Sequence, residues 1–162
     1  MQRKLLPIVS VLVLSLLVVG AAFASGPAEK ATGDVGFDTP WGWVDLVFDA
    51  HEAWDGRPAK GWLSWDRGGT YASSWSGPVV ATNVVDNWAT FTVRAMYGNP
   101  AVVGCDLTFK VVDGGEPGVG YDTVNLLSVV HSPGDYCAAY GQIQGPYTID
   151  AGNLQVHNYG YD

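Results

Sequence analysis

The sequence predicts an all-β fold, either an antiparallel β-sandwich or a meander β-barrel of about eight or nine strands, behind an N-terminal signal peptide. Three observations predict it. Apolar residues recur at every second position in several short stretches. Gly, Pro, Asn or Asp closes each stretch within a hairpin's length of the next, which favours a meander over long crossovers. No stretch of the mature chain keeps a 3.6-residue apolar period, and no internal repeat stands out.

The chain divides into three parts. Residues 1–24 read as a secretory signal peptide: Arg3 and Lys4 precede an uncharged run from Leu5, and Ala22-Phe23-Ala24 is a small-x-small cleavage signal before Ser25. The run is also about long enough to span a bilayer if left uncleaved, although Pro7 and the Ala-Phe-Ala end favour cleavage. No Cys follows it closely, so a lipid anchor is not expected. Residues 25–33 (SGPAEKATG) are small and polar, and read as a flexible lead-in. Residues 34–162 make one all-β domain, long enough for a single core.

Taken in order, the first strand signals are Val35 and Phe37, broken at Thr39-Pro40. From Trp43 the chain alternates, with Val44, Leu46, Phe48 and Ala50 on one face and Trp43, Asp45, Val47, Asp49 and His51 on the other. A turn at residues 55–58 leads to a short strand over Lys60–Asp66. Tyr71–Trp75 is a weaker strand, and Gly77-Pro78 reads as a bulge or corner before a strand over Val79–Val85. Asp86-Asn87 is a tight hairpin turn, since both residues tolerate the left-handed region. The returning strand, Trp88–Tyr97, points Ala89, Phe91, Val93 and Ala95 inward, and Gly98-Asn99-Pro100 ends it. Cys105–Val112 and Thr123–Val130 flank the corner DGGEPGVGYD. After a loop at 131–135 and a weakly patterned stretch over Tyr136–Gly145, Tyr147–Ile149 is a short strand. A turn at Asp150–Asn153 precedes the last strand, Leu154–Tyr159.

Charge and cysteines bound the partners. Without Arg3 and Lys4, six basic residues face 16 acidic ones, a net charge of −10. Such a chain repels nucleic acid and anionic lipid, so neither is expected as a partner, nor is a membrane once the signal is cleaved. Neutral glycans, cations and basic proteins remain compatible. Cys105 and Cys137 are the only cysteines, and in an exported chain they are expected to form a disulfide; the alternative is two buried thiols.

The run VVATNVVDNWATFTV, the corner within LTFKVVDGGEPGVGYDTVNLL and the terminal GNLQVHNYG together resemble the post-COAP-type β-domains of secreted bacterial envelope and surface proteins. The resemblance implies an extracytoplasmic all-β domain and no particular activity.

Two constellations are candidates for function. Asp113, Glu116 and Asp122 place three carboxylates at one Gly-rich corner, a possible Ca²⁺ site; the alternative is an acidic turn whose side chains bond backbone N–H groups. Of seven tryptophans, Trp41, Trp43 and Trp88 fall at a turn or opposite their strands' apolar faces, where exposed rings can stack on sugars; the alternative is a second packed layer or the inside of a barrel. Catalysis has little support. Asp45 and Asp49 lie roughly 13 Å apart along a strand, too far for a glycosidase pair. His51, His131 and His157 belong to no catalytic motif. The expected role is an exported, non-catalytic envelope or cell-surface interaction module. A carbohydrate-binding module is the alternative, and a hydrolase assembled across strands comes third.

Overall fold

The computed structural model describes residues 28–54, 56–68, 74–130, 137 and 145–159. The expected signal peptide, the residues before 28 in the expected lead-in, most of the weaker strand expected at Tyr71–Trp75, the loop at 131–135 and most of Tyr136–Gly145 lie outside them. The described residues form ten strands and no helix: β1 (Lys30–Thr39), β2 (Gly42–His51), β3 (Lys60–Asp66), β4 (Trp75–Val85), β5 (Trp88–Arg94), β6 (Tyr97–Gly98), β7 (Asp106–Val112), β8 (Thr123–Val130), β9 (Tyr147–Thr148) and β10 (Ala151–His157).

All pairings are antiparallel and the order is β10-β1-β2-β3-β4-β5-β7-β8-β9, with β6 paired to β4. This is the meander, closed by one return: β10 comes back to pair with β1 over Lys30–Gly36. Only Ile149 and Asp150 separate β9 from β10, so the chain itself brings the two ends of the sheet together. Ring contacts across the interior record the curl of the sheet: Phe48 on β2 stacks on Phe91 of β5 at 4.9 Å, and Phe37 on β1 on Tyr147 of β9 at 5.5 Å.

The curl is made at Gly77-Pro78. Trp75–Pro78 of β4 pairs with β3, whereas Val79–Val85 pairs with β5, and the register shifts between Val79 and Ala81. Proline cannot donate to a ladder, and a bulge bends the strand that carries it. A Cβ at position 77 would overlap the Arg94 carbonyl, so only glycine admits this approach.

The alternating strands bury the faces expected of them. Val44, Leu46, Phe48 and Ala50 of β2 are buried, as are Ala89, Phe91 and Val93 of β5 with Ala95 just beyond it. Asp86 takes φ 50° in the hairpin turn. The disulfide joins Cys105 to Cys137, both buried.

Three boundaries differ from expectation. Lys30–Gly33, read as the end of a flexible lead-in, belongs to β1 because it is flanked by β2 on one side and β10 on the other. Its composition is weak, but two ladders hold it, and the Phe48 ring fills the space that Gly33 leaves. Tyr97–Gly98 detaches from the preceding strand and folds onto β4, adding β6 and bringing the count to ten. The last strand begins at Ala151 instead of Leu154, because Gly152 (φ 84°) lets the chain lie against the Asp34 carbonyl where a side chain would collide.

Candidate functional site

The acidic corner between β7 and β8 is built as a clasp. Asp122 is fully buried. Its Oδ1 accepts the Gly114 N–H at 2.9 Å and its Oδ2 accepts the Leu154 N–H at 3.1 Å. Asp113 accepts the Gly115 N–H through Oδ1 at 2.9 Å and the Val156 N–H through Oδ2 at 3.1 Å. Leu154 and Val156 belong to β10, whose one strand partner among the described residues is β1. The two carboxylates thus stand where the carbonyls of a further strand would be, and they satisfy an edge that would otherwise be open. Asn153 adds a bond to Glu116 Oε1 at 3.0 Å.

Asp113, Glu116 and Asp122, the residues of the calcium expectation, are already engaged within the fold. The three do converge, but four carboxylate oxygens are held by backbone N–H groups and a fifth by an amide. Among the described residues no group of three or more His, Cys, Asp or Glu is placed to hold a metal ion. Burial raises the Asp122 pKa above the ordinary carboxylate range; the N–H bonds from Gly114 and Leu154 oppose the rise, and the neighbouring Asp113 and Glu116 charges add to it.

The second constellation lies on the convex, outward face of β1, β2 and β3. Trp43 and Trp62 are exposed there, and Trp41 is exposed at the turn between β1 and β2. The Trp43 ring lies across Gly36, where a Cβ would overlap it, and its Nε1 donates to Asp45 Oδ1 at 2.8 Å. Trp62 stands beside Asp49 in register, and its ring meets that of Tyr97 at 6.0 Å. Small residues make this contact possible: Trp62 pairs with Pro78 and Tyr97 with Ser76, so no bulky β4 side chain stands between the rings. Tyr97 is 60% exposed.

Trp43 and Trp62 are six residue steps apart along paired strands, roughly 20 Å. Asp45 and Asp66 stand opposite each other between them. Each has a hydrogen-bond donor of its own, Trp43 Nε1 for Asp45 and the Ser74 hydroxyl for Asp66, the latter at 2.7 Å. Toward β10 the same face opens into a groove of about 350 Å³, lined by Thr32, Asp34, Asp49, Asn153 and Gln155 among others. Asp49 is steadied by the His51 ring at 2.9 Å.

Of the three ring candidates read from the sequence, the structure brings Trp41 and Trp43 to neighbouring positions and sets Trp88 apart. Trp88 lies on β5, half-buried, with the Lys110 ammonium 4.6 Å from its ring centre. That cation occupies the face a ligand would need. Sequence reading passed over Trp62 and Tyr97. The alternation that buries Leu63 and Trp65 already turns Trp62 outward, but its meeting with Tyr97 depends on β6 folding back, for which the sequence carries no local signal.

No protein-family model, no curated protein and no solved structure matches this chain.

Proposed function

We propose that the chain is an exported, non-catalytic binding module of the cell envelope or cell surface, and that the outward face of β1–β3 with β6 is its contact surface. The observation that carries this reading is a set of exposed rings at two places on one side of the sheet, Trp41 and Trp43 at the β1–β2 turn and the Trp62–Tyr97 pair roughly 20 Å away, with carboxylates between them that are exposed or half-buried. Apolar rings of this size are costly to leave in water unless a partner covers them. The disulfide supports an oxidising compartment, as does the likeness to secreted β-domains read from the sequence. Among the described residues no helix is long and apolar enough to cross a membrane.

Two measurements test the reading. Exported protein recovered from a bacterial host should begin at Ser25 and carry no free thiol; a cytosolic product with reduced cysteines would count against export. The labelled mature chain should co-sediment with envelope or surface fractions, and a Trp43→Ala/Trp62→Ala variant should not. Failure to bind any fraction would end the module reading. Release of reducing ends from a bound polysaccharide would replace it with a hydrolase, for which the facing pair Asp45 and Asp66 would be the first residues to substitute.

A further inference from the structure

We infer that the ligand of this face is a neutral polysaccharide, lying across the strands from Tyr97 to Gln155. The inference rests on the binding-module reading and adds ligand chemistry, direction and residues to it. Register supplies the direction. Gln155 of β10, Thr32 of β1, Asp49 of β2 and Trp62 of β3 are successive partners, so their side chains form one row perpendicular to the strands. The next row runs Asn153, Asp34, Val47, Ser64, Ser76 and Tyr97. Adjacent strands lie about 4.8 Å apart, so each row spans well over 10 Å.

The two ends of this double row differ in chemistry. At the β3–β6 end, the Trp62 and Tyr97 rings offer broad apolar faces, 43% and 60% exposed. At the β10 end, the groove presents hydroxyl, carboxylate and carboxamide groups, both donors and acceptors. A sugar ring has the same two aspects: a patch of C–H groups on one face and hydroxyls around its edge. The C–H patch fits the rings, and the hydroxyls fit Thr32, Asp34, Asp49 and Gln155. A peptide would supply backbone groups along one line only, and β1, β2 and β3, which carry most of the double row, are each paired on both sides and offer it no strand edge. Charge narrows the class further. Asp34 and Asp49 in the groove, on a chain of net charge −10 after processing, repel anionic polymers. A neutral chain meets no such barrier, and its hydroxyls can donate to the Asp34 and Asp49 carboxylates beside the His51 ring that already contacts Asp49.

Affinity electrophoresis and calorimetry with soluble neutral β-glucan, xylan and galactomannan test the inference, with chitosan and polygalacturonate as cationic and anionic comparisons. At least one neutral polymer should bind, equally in low and high salt. Trp62→Ala and Tyr97→Ala should each weaken binding by about tenfold, and Gln155→Ala by about threefold, with melting temperatures unchanged. Trp62→Phe should restore most of the loss, and Trp88→Ala should have no effect. Three results would overturn the inference: binding to chitosan alone that vanishes in high salt, neutral binding indifferent to Trp62→Ala, or no neutral binding at all. If envelope fractions retain the chain and protease treatment abolishes that retention, the module reading survives and the glycan inference fails. If no envelope fraction retains it, the module reading itself fails.

Discussion

The corner at 113–122 and the outward face of β1–β3 are both rich in carboxylates, and they use them in opposite ways. At the corner, Asp113 and Asp122 spend all four oxygens on backbone N–H groups, two of them from the edge of β10 that faces away from β1. On the face, Asp34 and Asp45 are exposed and Asp49 has a side chain more than half exposed, with tryptophans beside them. The difference teaches that acid density does not locate a site in a curled sheet. What decides is whether an unpaired strand edge lies within reach. Where it does, carboxylates close the fold; where every strand is already paired, they stay available to a partner.

The largest expected effect separates the two regions by stability. Asp122→Ala leaves the Gly114 and Leu154 N–H groups without acceptors in a buried setting and should cost about 3 kcal/mol, read as a lower midpoint in urea unfolding. Trp43→Ala and Asp45→Ala on the face should each stay within about 1 kcal/mol. A comparable loss from both regions would erase the contrast.

Breaking Cys105–Cys137 sharpens it from a third position. The bridge spans 32 residues and should contribute about 3–4 kcal/mol on a chain-entropy account. Reduction should therefore lower the melting temperature by several degrees while leaving ligand binding by the native fraction unchanged, since the bridge touches neither Trp62 nor the groove.

A smaller effect concerns pH. Because the folded state raises the Asp122 pKa, ionisation of this group penalises the fold. Its contribution is complete below the ordinary Asp value of about 3.9 and is lost as pH rises through the raised folded value. The melting-temperature advantage of the native chain over Asp122→Asn should accordingly widen toward acid; an advantage that narrows toward acid would reverse the sign argued for the corner. The smallest effect is that of calcium. With the corner oxygens already bonded, excess Ca²⁺ against chelator should move the melting temperature by less than about one degree, and a larger rise would return the corner to the list of sites.

Local patterning made much of this legible. The alternation from Val44 to Ala50 and from Ala89 to Ala95 assigns buried faces residue by residue, and Asp86-Asn87, Gly77-Pro78 and the cysteine pair each specify a turn, a bend or a bridge. What stayed hidden depends on partners distant in sequence. Lys30–Gly33 is held as a strand by β2 on one side and, on the other, by β10 from more than 100 residues away. The corner carboxylates look like ligands until that same strand brings its N–H groups to them. Trp62 and Tyr97, 35 residues apart, meet only because two residues of β6 fold onto β4. Trp88 alternates outward as expected, yet its ring is taken by Lys110 on β7, and its strand lies three places from the nearest groove strand, β2.

The most direct test of the contrast is a titration of the labelled protein with a neutral polysaccharide, followed through backbone amide and tryptophan indole resonances. The account predicts that the Trp62 indole and the amides of Thr32, Asp49 and Tyr97 shift together, while Gly114, Leu154 and the Trp88 indole hold still. Shifts gathered at the corner or around Trp88, with the Trp62 face unmoved, would contradict it.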